Sequence, residues 1–165
     1  MATSSLRTAP AEQASGRLQA RPGQMDLELE LTEHSISSAR RLLREGVRMW
    51  GLEAMADDLG LVVAELLTNV LRHAVQPNGD PVGRCRCVVQ RVPNGLVAVV
   101  HDDDPTLPRE RTAGEDDLAG RGLRIVRELA TTMAVAPSPP APGGKDITVV
   151  FLHPPTSDRP TEAAA

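Results

Sequence analysis

Residues 65–74 read Glu-Leu-Leu-Thr-Asn-Val-Leu-Arg-His-Ala. No other segment restricts the fold as much. Leu59, Val63, Leu66, Leu67, Val70 and Ala74 recur at helical spacing and form one apolar stripe. Glu65, Asn69 and His73 recur at every fourth position. At about 100° per residue these three fall within about an 80° arc. The arc lies beside the apolar stripe, not across the helix from it. Two readings fit: a solvated helix edge, or a pocket wall carrying a carboxylate, an amide and an imidazole. Asn69 and Thr68 are weak helix formers, because their side chains compete for backbone hydrogen bonds. Their cost in mid-helix points to a role beyond packing.

The rest of the chain must supply a sheet for that helix to cover. Its 165 residues suffice for one domain with a true core. Trp50 and Phe151 are the only aromatic residues, so aliphatic side chains build the core. Arg84-Cys85-Arg86-Cys87 reads as a half-buried strand, thiols inward and guanidinium groups outward. A zinc site would need further Cys or His at metal spacing, and none follows. The net charge of -4 argues against a nucleic-acid partner held by phosphate neutralisation. No apolar run approaches membrane-spanning length and the N-terminus carries no signal-type segment, so the expected location is cytoplasmic.

Residues 1–24 lack a sustained period and are expected to be a disordered tail. Residues 25–31 alternate Leu27, Leu29 and Leu31 with acids, which predicts a strand. Thr32 or Ser35 caps a helix to about residue 50, with Ile36, Ala39, Leu43, Val47 and Trp50 inward. Its arginines, Arg40, Arg41, Arg44 and Arg48, are expected to be solvated. Gly51 ends that helix, and the polar-row helix spans about residues 54–74. Strands at about 83–92 and 96–101 meet at Pro93-Asn94-Gly95, a hairpin signal. Asp102-Asp103-Asp104-Pro105 closes the second strand. A polar segment, about residues 106–119, has the makings of a lid. Gly120-Arg121-Gly122-Leu123 then opens a helix to about residue 130. Strands at about 133–136 and 146–152 finish the domain, which spans residues 25–153. Residues 154–165 are expected to be a second disordered tail. The order predicts an α/β two-layer sandwich, with a mixed, mostly antiparallel sheet and helices on one face.

Individually the polar boxes are ambiguous. Gly120-Arg121-Gly122 fits a plain loop-to-helix junction as well as a phosphate-binding helix start. The aspartate run fits a turn, a metal cluster or a single binding carboxylate with acidic neighbours. Neither a Walker A sequence nor a Rossmann fingerprint is present.

In combination and order, the helix ELxxNxxxHA, a strand ending in Asp, a lid and GRGL resemble the GHKL (histidine kinase-like) ATPases. The nearest resemblance is to bacterial anti-sigma factor serine/threonine kinases and their stand-alone relatives, over about residues 25–152. That resemblance implies a Bergerat-type sandwich and the cofactors ATP and Mg²⁺. It implies Glu65 as general base and Asn69 as Mg²⁺ ligand, with Arg72 and His73 near the phosphates or under the lid. It implies Asp102 as acceptor of the adenine amino group. Gly120, Arg121, Gly122 and Leu123 correspond to the second glycine box. The implied partners are a sigma factor and an anti-anti-sigma factor, with pairing as a homodimer that includes the first helix.

Two departures stand out. The family's first glycine box has no glycine here, and Asp103 and Asp104 would add negative charge beside a polyanion. The Thr that often opens the last strand is replaced, with Asp146 and Thr148 as alternatives for its place. Besides a kinase, an ATP-gated binding module without phosphoryl transfer fits these motifs. A histidine kinase fragment fits poorly, because no dimerisation helix with an acceptor His precedes the domain.

Overall fold

The computed structural model describes residues 16–106, 118–139 and 143–153. Residues 107–117, most of the expected lid, lie outside the described residues. So do residues 1–15 and 154–165, which hold the rest of the expected tails. The elements are β1 (Gly16–Arg21), β2 (Gln24–Glu30), α1 (Glu33–Met49), α2 (Glu53–His73), β3 (Arg84–Val92), β4 (Gly95–Asp102), α3 (Leu118–Leu129), β5 (Thr132–Pro137) and β6 (Lys145–Leu152).

The strands form a six-stranded sheet in the order β1-β2-β3-β4-β6-β5. Every pairing is antiparallel, so the expected mostly antiparallel sheet is antiparallel throughout. One row of register partners, Leu27, Cys87, Val100, Ile147 and Val135, faces the helices. The adjacent row, Glu28, Arg86, His101, Asp146 and Ala136, faces the other way. Cys85 and Cys87 are buried while Arg84 and Arg86 are exposed, as strand alternation requires.

Strand β1 corrects the expected tail, since residues 16–21 and 24 belong to the sheet. Pro22 and Gly23 join β1 to β2, and Gly23 takes φ 72°. That is the Pro-Gly signature of a tight turn with a left-handed second residue. The strand escapes a reading by pattern because only Leu18 and Ala20 face the helix side. Both stay exposed, so this edge strand adds no buried side chain to the core and has little hydrophobic signal.

Helix α1 begins with a capping box, in which Thr32 and Ser35 exchange side-chain-to-backbone bonds at 3.0 Å. Ile36, Ala39, Leu43 and Val47 are its buried face. Arg40 and Arg41 are solvated as expected. Arg44 and Arg48 are not: both reach Asp57 of α2, at 2.6 and 3.3 Å. They straddle the point where the helices touch, with a Cβ at Gly60 falling 2.6 Å from Arg44 Cγ. Glycine there lets α1 lie close on α2 and hold it at a fixed angle.

Helix α2 runs through the centre of the core. Leu59, Val62, Val63, Leu66 and Leu67 are fully buried. Each such side chain contributes about 1.5–3 kcal/mol of transfer free energy. This packing leaves α2 little freedom, and its polar row inherits that rigidity.

Candidate functional site

Rigid packing on one side of α2 decides where the polar row goes. Glu65 and Asn69 are half-buried, at the border of the core where α3 meets α2. Arg72 and His73 occupy the exposed last turn. The Arg72 guanidinium complements the negative end of the helix dipole there. The row therefore divides: two members line a wall and the third lies at its outer end.

Helix α3 closes over that wall. A Cβ built on Gly122 would lie 3.0 Å from Glu65 Oε2, 3.4 Å from Asn69 Nδ2 and 3.5 Å from Asn69 Oδ1. Gly122 is thus the point where α3 lies against the pair, and any side chain there would press on both. The helix starts at Leu118, two residues before Gly120, so the glycine box lies within its first turns and not ahead of it. For Gly120 and Arg121 the described structure is this helical backbone alone. Within the helix the free N–H groups of the first turn are those of residues 118–120, and they are phosphate-type donors. Leu123 packs on the core and Val126 is fully buried, and both anchor the helix.

The third component is the end of β4. Asp102 is in phase with Leu96, Ala98 and Val100, so it faces inward, and it is 2% exposed. Its Oδ1 accepts from the Asp104 backbone N–H at 2.7 Å and from Lys145 Nζ at 3.1 Å. Among the described residues both bonds fall on Oδ1, and Oδ2 is the oxygen left for another donor. Burial pushes the Asp102 carboxyl above the ordinary carboxylate range, and the Lys145 ammonium opposes that rise. Lys145 is itself buried and is the register partner of Asp102 across β4 and β6.

Asp104 behaves unlike a spare negative charge. It is 6% exposed and points inward. Its Oδ1 accepts from Thr106 N at 2.8 Å and its Oδ2 from Val75 N at 3.2 Å. Its backbone oxygen accepts from Lys145 Nζ at 2.9 Å. Burial alone would raise its carboxyl, but the donors at Thr106 and Val75 and the charge of Lys145 outweigh that and hold it low. The Asp-x-Asp-Pro sequence thus makes two successive side-chain turns that tie β4, β6 and the end of α2 together. Asp103 turns outward, 3.5 Å from His101 Nε2. The extra negative charge anticipated beside a polyanion is therefore half neutralised within the fold and half directed to the opposite face of the sheet.

The last strand settles the question left by the absent Thr. Asp146 and Thr148 share the outer face, where Asp146 Oδ1 accepts from His101 Nδ1 at 2.7 Å. The inward position belongs to Lys145. The expected strand began at Asp146, one residue late, and so left Lys145 outside it. The signal was its phase: Lys145 alternates with Ile147, Val149 and Phe151 on the buried face.

A buried carboxylate with one open oxygen, a helix N-terminus and a half-buried amide beside a glycine gap fit a nucleotide triphosphate. The carboxylate suits a base amino group, and the helix start suits phosphate oxygens. Among the described residues no cluster of three or more His, Cys, Asp or Glu could hold a metal on its own. Asn69 offers one oxygen, which suits a Mg²⁺ ion held largely by phosphates. No helix among the described residues is long and apolar enough to cross a membrane. A family model described as the histidine kinase-like ATPase domain matches residues 29–151. No curated protein matches the chain.

Proposed function

The chain belongs to the histidine kinase-like ATPase family, and on that premise we propose that it is a cytoplasmic serine/threonine protein kinase of the anti-sigma factor type. Membership carries ATP binding. The finer reading gives Asp102 the adenine amino group and gives the first turn of α3 the phosphates. Asn69 would carry Mg²⁺, whose charge offsets that of the triphosphate when bound. Glu65, one helical turn before Asn69, would accept the proton of a Ser or Thr hydroxyl on a small anti-anti-sigma partner. A sigma factor would be the second partner. A homodimer whose contact includes α1 completes the reading. Met49, at the end of α1, is 87% exposed and supplies apolar surface for it.

One observation supports the kinase reading above the rest: Glu65 and Asn69 face the same glycine gap. A base and a metal ligand must share one reacting centre, and a solvated helix edge has no such need. The test is a pair of variants with radiolabelled ATP and the partner captured from native lysate. Asn69→Ala should abolish both nucleotide binding and transfer. Glu65→Ala should retain ATP affinity and cut transfer about 10²–10⁴-fold.

A second reading, the ATP-gated binding module, draws on the position of α3. Gly122 already lies against Glu65 and Asn69. A ligand entering there must shift α3, which would couple nucleotide to partner affinity without chemistry. Unchanged transfer in Glu65→Ala, with partner binding lost in Asn69→Ala, would select this reading over the kinase.

A further inference from the structure

We propose that Lys145 is a positioning residue: it orients Asp102 so that one carboxylate oxygen stays open to a nucleobase amino group, and it thereby sets the preference for a 6-amino purine. This rests on the reading of Asp102 as the base-recognising group.

The geometry is specific. Lys145 Nζ bonds Asp102 Oδ1 at 3.1 Å and Asp104 O at 2.9 Å, and lies 4.0 Å from Asp104 Oδ2. Asp104 N adds a second donor to the same Asp102 oxygen at 2.7 Å. Two donors converging on Oδ1 fix the carboxylate plane and direct Oδ2 elsewhere. Gly144, at φ 82°, brings the start of β6 against Asp102 O and Asp103 Cα, a closeness that no Cβ would permit. The approach delivers the ammonium to the carboxylate without water between them.

Charge state matters as much as direction. An ionised carboxylate accepts from the 6-amino group of adenine and repels the 6-oxo group of guanine. A protonated carboxyl can donate to that oxo group, so discrimination holds only while Asp102 is ionised. Its charged neighbours are Lys145 from β6 and Asp104 from the turn. From β3, Cys85 also faces it, and burial keeps that thiol neutral. Lys145 is the one cation in this set. It offsets both the burial of Asp102 and the like charge of Asp104.

The sign of the pH effect follows. Without the ammonium, Asp102 takes up its proton at a higher pH. Discrimination against guanine should then fail at a higher pH too.

Two measurements test this on the full chain. Carboxyl-carbon NMR of the nucleotide-free protein, with the Asp102 signal assigned through Asp102→Asn, gives the protonation midpoint. Lys145→Met should raise it by about 1–3 pH units, the usual effect of removing an adjacent opposite charge. Calorimetry gives the ATP-to-GTP affinity ratio between pH 5 and 8. That ratio should fall about tenfold or more in Lys145→Met, as expected for losing a charge-assisted bond. Lys145→Arg should retain most of it. In an Asp102→Asn background, Lys145→Met should leave the ratio unchanged. Lys145→Gln serves if the Met variant does not fold.

An unmoved midpoint, or equal loss of ATP and GTP affinity at every pH, overturns the role of Lys145. Wild-type protein that binds neither nucleotide overturns the reading of Asp102 instead, and the proposal with it.

Discussion

Gly122→Ala separates stability from ligand binding in one substitution. The added methyl would lie 3.0 Å from Glu65 Oε2 and 3.4 Å from Asn69 Nδ2. The nearer contact is tight by a few tenths of an ångström. The atom that must yield is the far end of a half-buried carboxylate, which rotates readily. Ala in a helix interior gains about 0.8–1 kcal/mol over Gly. Displacing Glu65 and crowding Asn69 should cost a similar amount, since overpacking penalties start near 1 kcal/mol. Net stability should therefore stay within about 1 kcal/mol of wild type, or about 2–4 °C in Tm for a chain of this size. Binding should not stay level. The methyl crowds the contact between α3 and the polar pair, which a ligand there must share, so ATP affinity should fall about tenfold, or about 1.4 kcal/mol. Calorimetric titration with Mg-ATP and thermal denaturation of the same preparations give both numbers. Unchanged ATP affinity would refute the assignment of this gap to the ligand. A stability loss beyond about 2 kcal/mol would show that Glu65 cannot give way, and that the gap is a packing contact.

Other outcomes follow from the groups around the site. Asp104 is held low, so its stabilising effect is complete above the ordinary value of 3.8 and disappears as pH falls through its lower folded value. Asp104→Asn should thus destabilise clearly in urea unfolding at pH 7 and much less at pH 3; equal losses at both would contradict the assignment. Burial pushes the Cys87 thiol up to about 12 and Cys85 higher still. Native protein should resist iodoacetamide at pH 8 and react at both thiols once unfolded, as mass spectrometry would read out. Light scattering should return a dimer mass at tens of micromolar protein, and a monomer mass would remove the α1 contact from the proposal.

Periodicity was enough for most of the architecture. Helix α2, the Arg-Cys-Arg-Cys strand and the Asn-Gly hairpin each follow from local spacing, because burying one face forces a period of 3.6 or 2. The same spacing put Glu65 and Asn69 on one shoulder of α2, whereas Asp102 was marked by the family resemblance and its burial at the end of β4 emerged with the sheet. Strand β1 was missed because its alternation is short and only weakly apolar: Leu18 and Ala20 stay exposed on an edge strand, so no burial demanded a stronger pattern.

What the chain order could not decide was which distant residues meet. Gly122 reads as a helix-start glycine until α3 packs across α2, and only that crossing brings its Cα to Glu65 and Asn69. Asp103 and Asp104 read alike. The pleat sends one outward to His101, and the turn after β4 folds the other in toward Val75 and Lys145. Lys145 itself lies 43 residues from Asp102. Its identity and phase are written in the sequence, but its pairing depends on the β4–β6 register. That register is a property of the assembled sheet, since each strand has no memory of its neighbour until the core closes around both.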